Sequence, residues 1–149
     1  MTETNTELAI RLLESVEEKD IDRVMAFFTE DAVFIDPHYP NVRMQGYTEI
    51  SEGLRWSFKS LKKFGFEIIN TYPAADGKSV VISIRTAHER PHGQPLNFPQ
   101  LFLFEFEDEY VKSLQAYVQY EPHGMLGLIL KVTRLWEHLR IHKSSLQQK

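Results

Sequence analysis

The stretch that decides the fold is residues 98–120, FPQLFLFEFEDEYVKSLQAYVQY. Apolar side chains recur there with a period of two, in two runs that the polar pair Asp108-Glu109 separates. Such a period is typical of strands with one buried face, and a polar pair between two runs favours a turn. We therefore predict two antiparallel strands. Their inward faces carry Phe98, Phe102, Phe104, Phe106, Leu114, Ala116, Val118 and Tyr120.

Two further strands lie upstream of this pair. The first has alternating residues that end before Pro73, namely Phe64, Phe66, Ile68, Asn70 and Tyr72. Asp76-Gly77 follows, and this dipeptide is a strong hairpin signal. The next strand runs from Val80 to about His88, and residues 91–95, PHGQP, predict a second turn.

The strand from Val80 to His88 has two possible inward faces, because a slip of one residue moves every side chain of a strand to the other face. Apolar alternation selects Val80, Ile82, Ile84, Thr86 and His88. Counting back from Gly93-Gln94-Pro95 selects Ser83, Arg85, Ala87 and Glu89. Hydrophobicity favours the first set, whereas the second would make Arg85 an inward cation able to hold an anionic ligand.

The first third of the chain has the periodicity of helices. One helix carries Leu8, Leu12, Leu13 and Val16 at helical spacing. Thr4 and Glu7 form a capping box in front of it, and Asp20 caps a second helix. The second helix carries Ile21, Val24, Met25, Phe27 and Phe28.

A short strand, residues 32–35, ends at Asp36-Pro37 because proline has no N–H to donate to a strand ladder. After a polar loop, Thr48 caps a third helix, which carries Ile50, Leu54 and Phe58 on one face. Helices therefore precede a run of antiparallel strands. This order predicts an α+β domain with the helices packed on one face of the sheet.

The end of the chain differs in charge from the rest. Residues 123–149 have helical periodicity and a net charge of +4, whereas residues 1–122 carry −8. We predict a domain over 1–122 and an amphipathic helix within 123–149. We consider three roles for this helix: it covers the open end of the domain, it packs in a dimer interface, or it lies on an anionic membrane surface. We favour the first two.

Composition excludes several classes of protein. The 149 residues include no cysteine, which excludes disulfides, thiolate metal sites and a cysteine nucleophile. A net charge of −4 argues against nucleic-acid binding, which needs concentrated positive charge. No apolar run is long enough to span a bilayer, and the start of the chain does not resemble a secretory signal. We expect a cytoplasmic domain.

Four segments together resemble the ketosteroid isomerases of the nuclear transport factor two-like superfamily, which includes the SnoaL-like polyketide cyclases. Residues 30–37, EDAVFIDP, are similar to their strand that ends in a catalytic Asp followed by Pro. Residues 92–95, HGQP, resemble a hairpin, and residues 115–117, QAY, the final strand. Residues 19–21, KDI, match the junction of the first two helices.

The resemblance implies a cone, in which a strongly curved mixed sheet wraps around a pocket that helices close. It also implies that Asp36 is a general base moving a proton next to a carbonyl. That family stabilises the enolate with two hydrogen-bond donors, a Tyr and a protonated Asp. The matching positions here are Leu12 and Phe102, which cannot donate, so the family's ketosteroid reaction is not expected.

We therefore interpret the chain as a binder of a small hydrophobic molecule, with isomerase, cyclase or dehydratase chemistry as the catalytic hypothesis. The candidate catalytic residues are Asp36, His38 and His88. The candidate ligand-binding residues are Phe28, Tyr39, Trp56, Phe66, Phe102, Phe104, Ala116, Val118 and Tyr120. We expect no cofactor and no metal. We expect a homodimer that forms through the outer sheet face near Leu101, Leu103 and Tyr117. The alternative is a ligand-binding or dimerisation module without chemistry.

Overall fold

The computed structural model describes residues 3–119 and 128–136. The chain divides into two units, Met1–Val118 and Gln119–Lys149. The elements of the first unit are α1 (Asn5–Glu17), α2 (Ile21–Met25), β1 (Phe28–Ile35), β2 (Arg43–Gln45), α3 (Gly46–Ser60), β3 (Phe66–Pro73), β4 (Ser79–Thr86), β5 (His88–Glu89), β6 (Pro95–Leu96), β7 (Pro99–Glu107) and β8 (Tyr110–Val118).

Six strands form one curved sheet in the order β2-β1-β8-β7-β4-β3. The pair β1 and β8 is parallel, and the other neighbours are antiparallel. The strands β5 and β6 form a separate small hairpin. Helix α1 packs against β3 and β4, and α3 packs against β1 and β2. The predicted α+β class, with a mixed sheet and three helices in the N-terminal part of the chain, is confirmed.

Side-chain caps begin the first two helices as predicted. The Thr4 hydroxyl accepts a hydrogen bond from the Glu7 N–H at 3.3 Å, and the Glu7 carboxylate accepts from the Thr4 N–H at 2.7 Å. The Asp20 carboxylate accepts from the Arg23 N–H at 3.0 Å. These bonds satisfy N–H groups that a helix leaves unpaired at its start.

Two helix predictions are wrong in their bounds. Helix α2 ends at Met25, so Phe27 lies in the turn that follows it. Phe28 belongs to β1, because it pairs with Val111 of β8 and the chain is already extended there. Helix α3 begins at Gly46, so Thr48 lies inside it and does not cap it. Gly46 has φ +77°, a conformation that favours glycine.

The alternation expected in β3 is largely lost. This strand is at the edge of the sheet, and its register shifts between Ile68 and Asn70. A shift of this kind reverses the phase of the side chains that follow. Tyr72, which follows the shift, is therefore exposed, and its neighbour Thr71 is half-buried instead. Before the shift, Phe66 is half-buried and Ile68 is exposed at the sheet edge.

The structure decides between the two faces of the strand that ends at His88. The set chosen by hydrophobicity is buried, namely Val80, Ile82, Ile84, Thr86 and His88. Arg85 and Ala87 are exposed. Arg85 is therefore not an inward cation. The reading that counted back from the turn is wrong because β4 keeps its phase through to Thr86, with no register shift against β7.

Residues 128–136 are helical, which agrees with the periodicity. Their large apolar side chains are exposed, namely Leu128, Ile129, Val132, Leu135 and Trp136. Tyr120 and the remaining part of 123–149 lie outside the described residues. How the predicted helix packs stays a prediction. Among the described helices, none combines the length and the apolar character that crossing a membrane requires.

Candidate functional site

A cavity of about 260 Å³ lies inside the first unit, between the helices and the inward face of the sheet. Its wall is mostly aliphatic and aromatic. The polar or partly polar side chains on it are Asp36, His38, Tyr39, Trp56, Ser57, Ser60, His88 and Gln100. A concave, apolar site with a few polar groups is typical of small-molecule binding.

Asp36 and His38 form a hydrogen-bonded pair at the end of β1. The Asp36 side chain is 8 % exposed and the His38 side chain 37 %, so the carboxylate is buried and the imidazole reaches the surface. Oδ1 of Asp36 accepts from the backbone N–H of His38 at 2.9 Å and lies 2.8 Å from its Nδ1. A carboxylate only accepts, so Nδ1 carries the proton in this bond.

Both of these bonds fall on Oδ1 of Asp36. Among the described residues, none donates a hydrogen bond to Oδ2. In the same residues, every side-chain oxygen that has no accessible surface has a hydrogen-bond partner, so the unpaired Oδ2 must keep some accessible surface. Oδ2 is therefore open to the cavity that Asp36 lines. An anchored carboxylate with one open oxygen has the geometry of a general base.

His88 lies deeper in the same cavity and has a fixed tautomer. Its Nδ1 accepts a hydrogen bond from the Gly65 N–H at 3.1 Å, so the proton of the neutral ring lies on Nε2. The pKa of His88 is lowered to about 4, mainly by burial. The charge of His38 also lowers this pKa, and the charge of Asp36 raises it by a smaller amount. His88 is therefore a neutral N–H donor at neutral pH.

Aromatic rings surround both imidazoles. The Phe98 ring centroid is 4.9 Å from that of His38 and 6.3 Å from that of His88. Phe64 and Phe66 pack edge-on against His88 at 5.0 and 5.3 Å. One ring thus connects the two histidines, and the apolar surroundings favour the neutral form of the inner one.

Tyr39 contributes to the wall rather than to acid–base chemistry. Its hydroxyl donates to Oγ of Ser57 at 3.1 Å, and Ser57 donates to the Leu54 carbonyl at 3.0 Å. Burial raises the pKa of Tyr39, the Ser57 bond opposes this, and the charge of Asp36 adds to it. The phenol therefore stays protonated at neutral pH, and its ring packs against Phe34 and Trp56.

Gln100 is a cavity residue that the sequence analysis missed. It is 5 % exposed and lies on the inward face of β7. The signal was available, because a glutamine stands there in phase with Phe98, Phe102 and Phe104. An interruption of an apolar face by one amide marks a candidate polar contact.

The structure brings most of the predicted site residues to the cavity. Those on its wall are Phe28, Asp36, His38, Tyr39, Trp56, Phe66, His88 and Phe102. Phe104 and Ala116 are buried in the core and Val118 is half-buried, but none of the three lines the cavity. The phase of their strands was read correctly, yet the cavity does not extend beneath them. Leu12 and Phe102, the apolar replacements of the relatives' donors, both line it.

A metal site does not emerge from the described part of the chain. No three His, Asp or Glu side chains there are grouped so that they could share an ion.

Comparison with known proteins identifies the family. Residues 9–113 match the model of the SnoaL-like domain, and the chain belongs to that family. A comparison with curated proteins finds no match.

Solved structures with the same fold are many and distant in sequence. A protein of ketosteroid isomerase-like fold from Catenulispora acidiphila, solved with trimethylamine, is 19% identical with a TM-score of 0.67, covering 77% of this chain and 87% of its own. A protein described as a SnoaL-like polyketide cyclase, from Shewanella putrefaciens, is 17% identical with a TM-score of 0.67, covering 78% and 80%. The epoxide hydrolase/cyclase-like enzyme SalBIII of salinomycin pyran-ring formation is 19% identical with a TM-score of 0.67, covering 83% and 92%. At these identities the likeness establishes the fold.

Proposed function

We propose that this SnoaL-like protein binds a compact, largely apolar carbonyl compound and moves a proton on the carbon next to the carbonyl. The observation that carries this proposal is the Asp36–His38 pair at 2.8 Å, with Oδ2 of Asp36 open to an aromatic cavity. A volume of about 260 Å³ compares with about 150 Å³ for an engineered apolar cavity that binds benzene. The ligand is therefore larger than one ring, on the order of two fused rings.

In the proposed reaction, Oδ2 of Asp36 takes a proton from the carbon next to the carbonyl. The C–H electron pair becomes the carbon–carbon double bond of an enolate, and the carbonyl oxygen gains the negative charge. Nε2–H of His88 donates a hydrogen bond to that oxygen, in place of the donors missing at Leu12 and Phe102. Asp36 then returns the proton. Return to the same carbon gives proton exchange, and delivery to another carbon of a conjugated enolate gives isomerisation, both without a cofactor.

The experiment uses β-tetralone, a bicyclic ketone whose acidic C–H groups lie next to its carbonyl. Exchange of these protons in D₂O is followed by NMR with and without the protein. We expect Asp36→Asn to reduce the protein-catalysed rate by at least about 100-fold, because an amide cannot act as the base. Asp31→Asn, at an exposed position of the same strand, is the matched control. Full exchange by Asp36→Asn would overturn the role of Asp36.

A ligand-binding module without chemistry is the second candidate. The apolar side chains of Leu12 and Phe102 favour it, because they leave fewer donors for an enolate than the relatives have. Under this reading β-tetralone binds to the wild type without any acceleration of exchange. Asp36→Asn then leaves its affinity nearly unchanged.

We also propose that the outer sheet face joins two copies of the chain. Leu101 and Tyr117 are directly opposite each other on β7 and β8, and both are more than two-fifths exposed. Contiguous exposed apolar patches mark interaction sites, and this pair is the proposed centre of such a patch. Tyr117→Lys should convert a dimer to a monomer in analytical ultracentrifugation, whereas Tyr110→Lys, exposed at the start of the same strand, should not. A wild type that sediments as a monomer would contradict this proposal.

A further inference from the structure

The Gln100 amide is buried in the cavity wall without a protein partner. The residue is 5 % exposed, and among the described residues none is hydrogen-bonded to its side chain. In the same part of the chain, every side-chain nitrogen or oxygen that has no accessible surface has a hydrogen-bond partner. The amide atoms must therefore be open to the cavity that Gln100 lines.

The strand neighbours of Gln100 explain why its amide is unpaired. Across the sheet it lies between Ile84 of β4 and Val118 of β8, whose side chains have no polar atoms. Along the chain, Phe98, just before β7, and Phe102 within it lie two residues away on either side, and both line the cavity. An amide among four apolar side chains has lost most of its hydration without gaining a protein hydrogen bond, which opposes folding.

A leucine or phenylalanine would fill this position without that cost. We propose that Gln100 determines ligand specificity by binding a second polar group, a hydroxyl or a carbonyl, on the compact apolar ligand. This proposal rests on the proposed function, in which the reacting carbonyl is held by His88. The substrate class is then a small bicyclic ketone with one further oxygen, rather than a plain hydrocarbon ketone.

The test compares β-tetralone with its derivatives that carry one hydroxyl on the aromatic ring. Affinities are measured by calorimetry for the wild type, Gln100→Leu and the control Gln94→Leu, whose side chain is exposed in the β5–β6 turn. We expect at least one hydroxy isomer to bind the wild type about tenfold more tightly than β-tetralone, as one buried hydrogen bond provides. Gln100→Leu should remove this preference and Gln94→Leu should keep it.

A measurement without ligand tests the unpaired amide itself. Gln100→Leu should raise the melting temperature of the free protein, because leucine of similar size needs no hydrogen bond. A fall of several degrees would show that the amide has a structural partner and would overturn the proposal. Gln100→Met serves the same purpose if the leucine variant does not fold.

The two proposals fail in different ways. If β-tetralone exchanges its protons but no hydroxy isomer binds more tightly, the role of Gln100 is wrong and the proposed function stands. If the hydroxyl preference depends on Gln100 but no exchange occurs, the chemistry is wrong and Gln100 remains a ligand contact. If none of the tetralones binds the wild type, the substrate class is wrong.

Discussion

The backbone N–H of Gly65 donates a hydrogen bond to Nδ1 of His88 at 3.1 Å. The same glycine accepts at its carbonyl from the Ala87 N–H at 2.8 Å. A Cβ on Gly65 would lie 2.5 Å from the Ala87 carbonyl oxygen, which belongs to the backbone and cannot rotate away. Glycine is thus required for the close approach that fixes the tautomer of His88.

Gly65→Ala should therefore disturb His88 without touching the cavity directly. The added methyl group forces the two backbone segments apart, which weakens the bond to Nδ1. We expect a loss of stability of about 1–3 kcal/mol and a slower exchange of β-tetralone. Urea unfolding measures the loss of stability. The ¹⁵N shifts of the imidazole distinguish the two tautomers, so they show directly whether the tautomer of His88 has changed.

A double-mutant cycle separates positioning from general damage. In a His88→Leu background, Gly65→Ala has no imidazole to displace, so its effect on the exchange rate should disappear. An equal loss of rate in both backgrounds would mean that Gly65 does not act through His88.

The burial of His88 also predicts how stability depends on pH. Its pKa is lowered from 6.5 to about 4 by burial, so between these values the unfolded chain binds more protons than the folded one. Stability must therefore fall as the pH decreases from 6.5 to 4, by about 3 kcal/mol at 1.36 kcal/mol per pKa unit. The contribution stops changing only well below pH 4, where His88 is protonated in the folded and the unfolded chain alike.

His88→Gln should remove that part of the acid dependence. Urea unfolding of wild type and variant at pH 7 and pH 4.5 gives the comparison, with His92→Gln in the exposed turn as the control. The wild type should lose about 2–3 kcal/mol more than His88→Gln over this range. Parallel losses in the two proteins would refute the assignment of His88 as a buried neutral imidazole.

Most of the sheet could be predicted because burial of one face imposes a period of two on the sequence. Between Gln100 and Phe106 of β7, every second side chain is buried, in agreement with the phase of the phenylalanines. The inward position of His88 followed from the same rule. The edge strand β3 was predicted, but the faces of its side chains could not be, because a register shift between Ile68 and Asn70 leaves no mark on composition.

The site was harder to predict than the fold, for a physical reason. Which inward residues line a cavity depends on where the helices leave space, and strand phase alone does not contain that information. Phe102 lines the cavity while Phe104, two residues later on the same face, is fully buried in the core. The in-phase position of Gln100 could be read from the sequence, whereas only the three-dimensional structure shows that its amide lacks a protein partner.

Lys19 connects the α1–α2 junction to the end of α3. It has φ +58°, and its ammonium donates to the carbonyls of Phe58 at 2.9 Å and Leu61 at 2.5 Å. Hydrogen bonds from a charged donor contribute about 1.5–3 kcal/mol, so Lys19→Met should reduce stability by about 2 kcal/mol. Chemical unfolding measures this, and Lys59→Met, exposed in the last turn of α3, is the control. An unchanged unfolding midpoint for Lys19→Met would show that the hydrogen bonds of Lys19 to the end of α3 do not stabilise the fold.

The contribution of His38 should be smaller than that of Asp36. Oδ1 of Asp36 keeps the backbone bond from residue 38 at 2.9 Å when the imidazole is removed, so the carboxylate stays in place but loses one of its two anchors. We expect His38→Ala to slow the exchange of β-tetralone by about 10- to 100-fold, the cost of a less well oriented base. His38→Asn, whose side-chain amide is able to donate to Oδ1, should recover part of that loss. If His38→Ala abolishes exchange as completely as Asp36→Asn and His38→Asn recovers nothing, the imidazole itself carries the proton, and the order of the two residues in the mechanism is reversed.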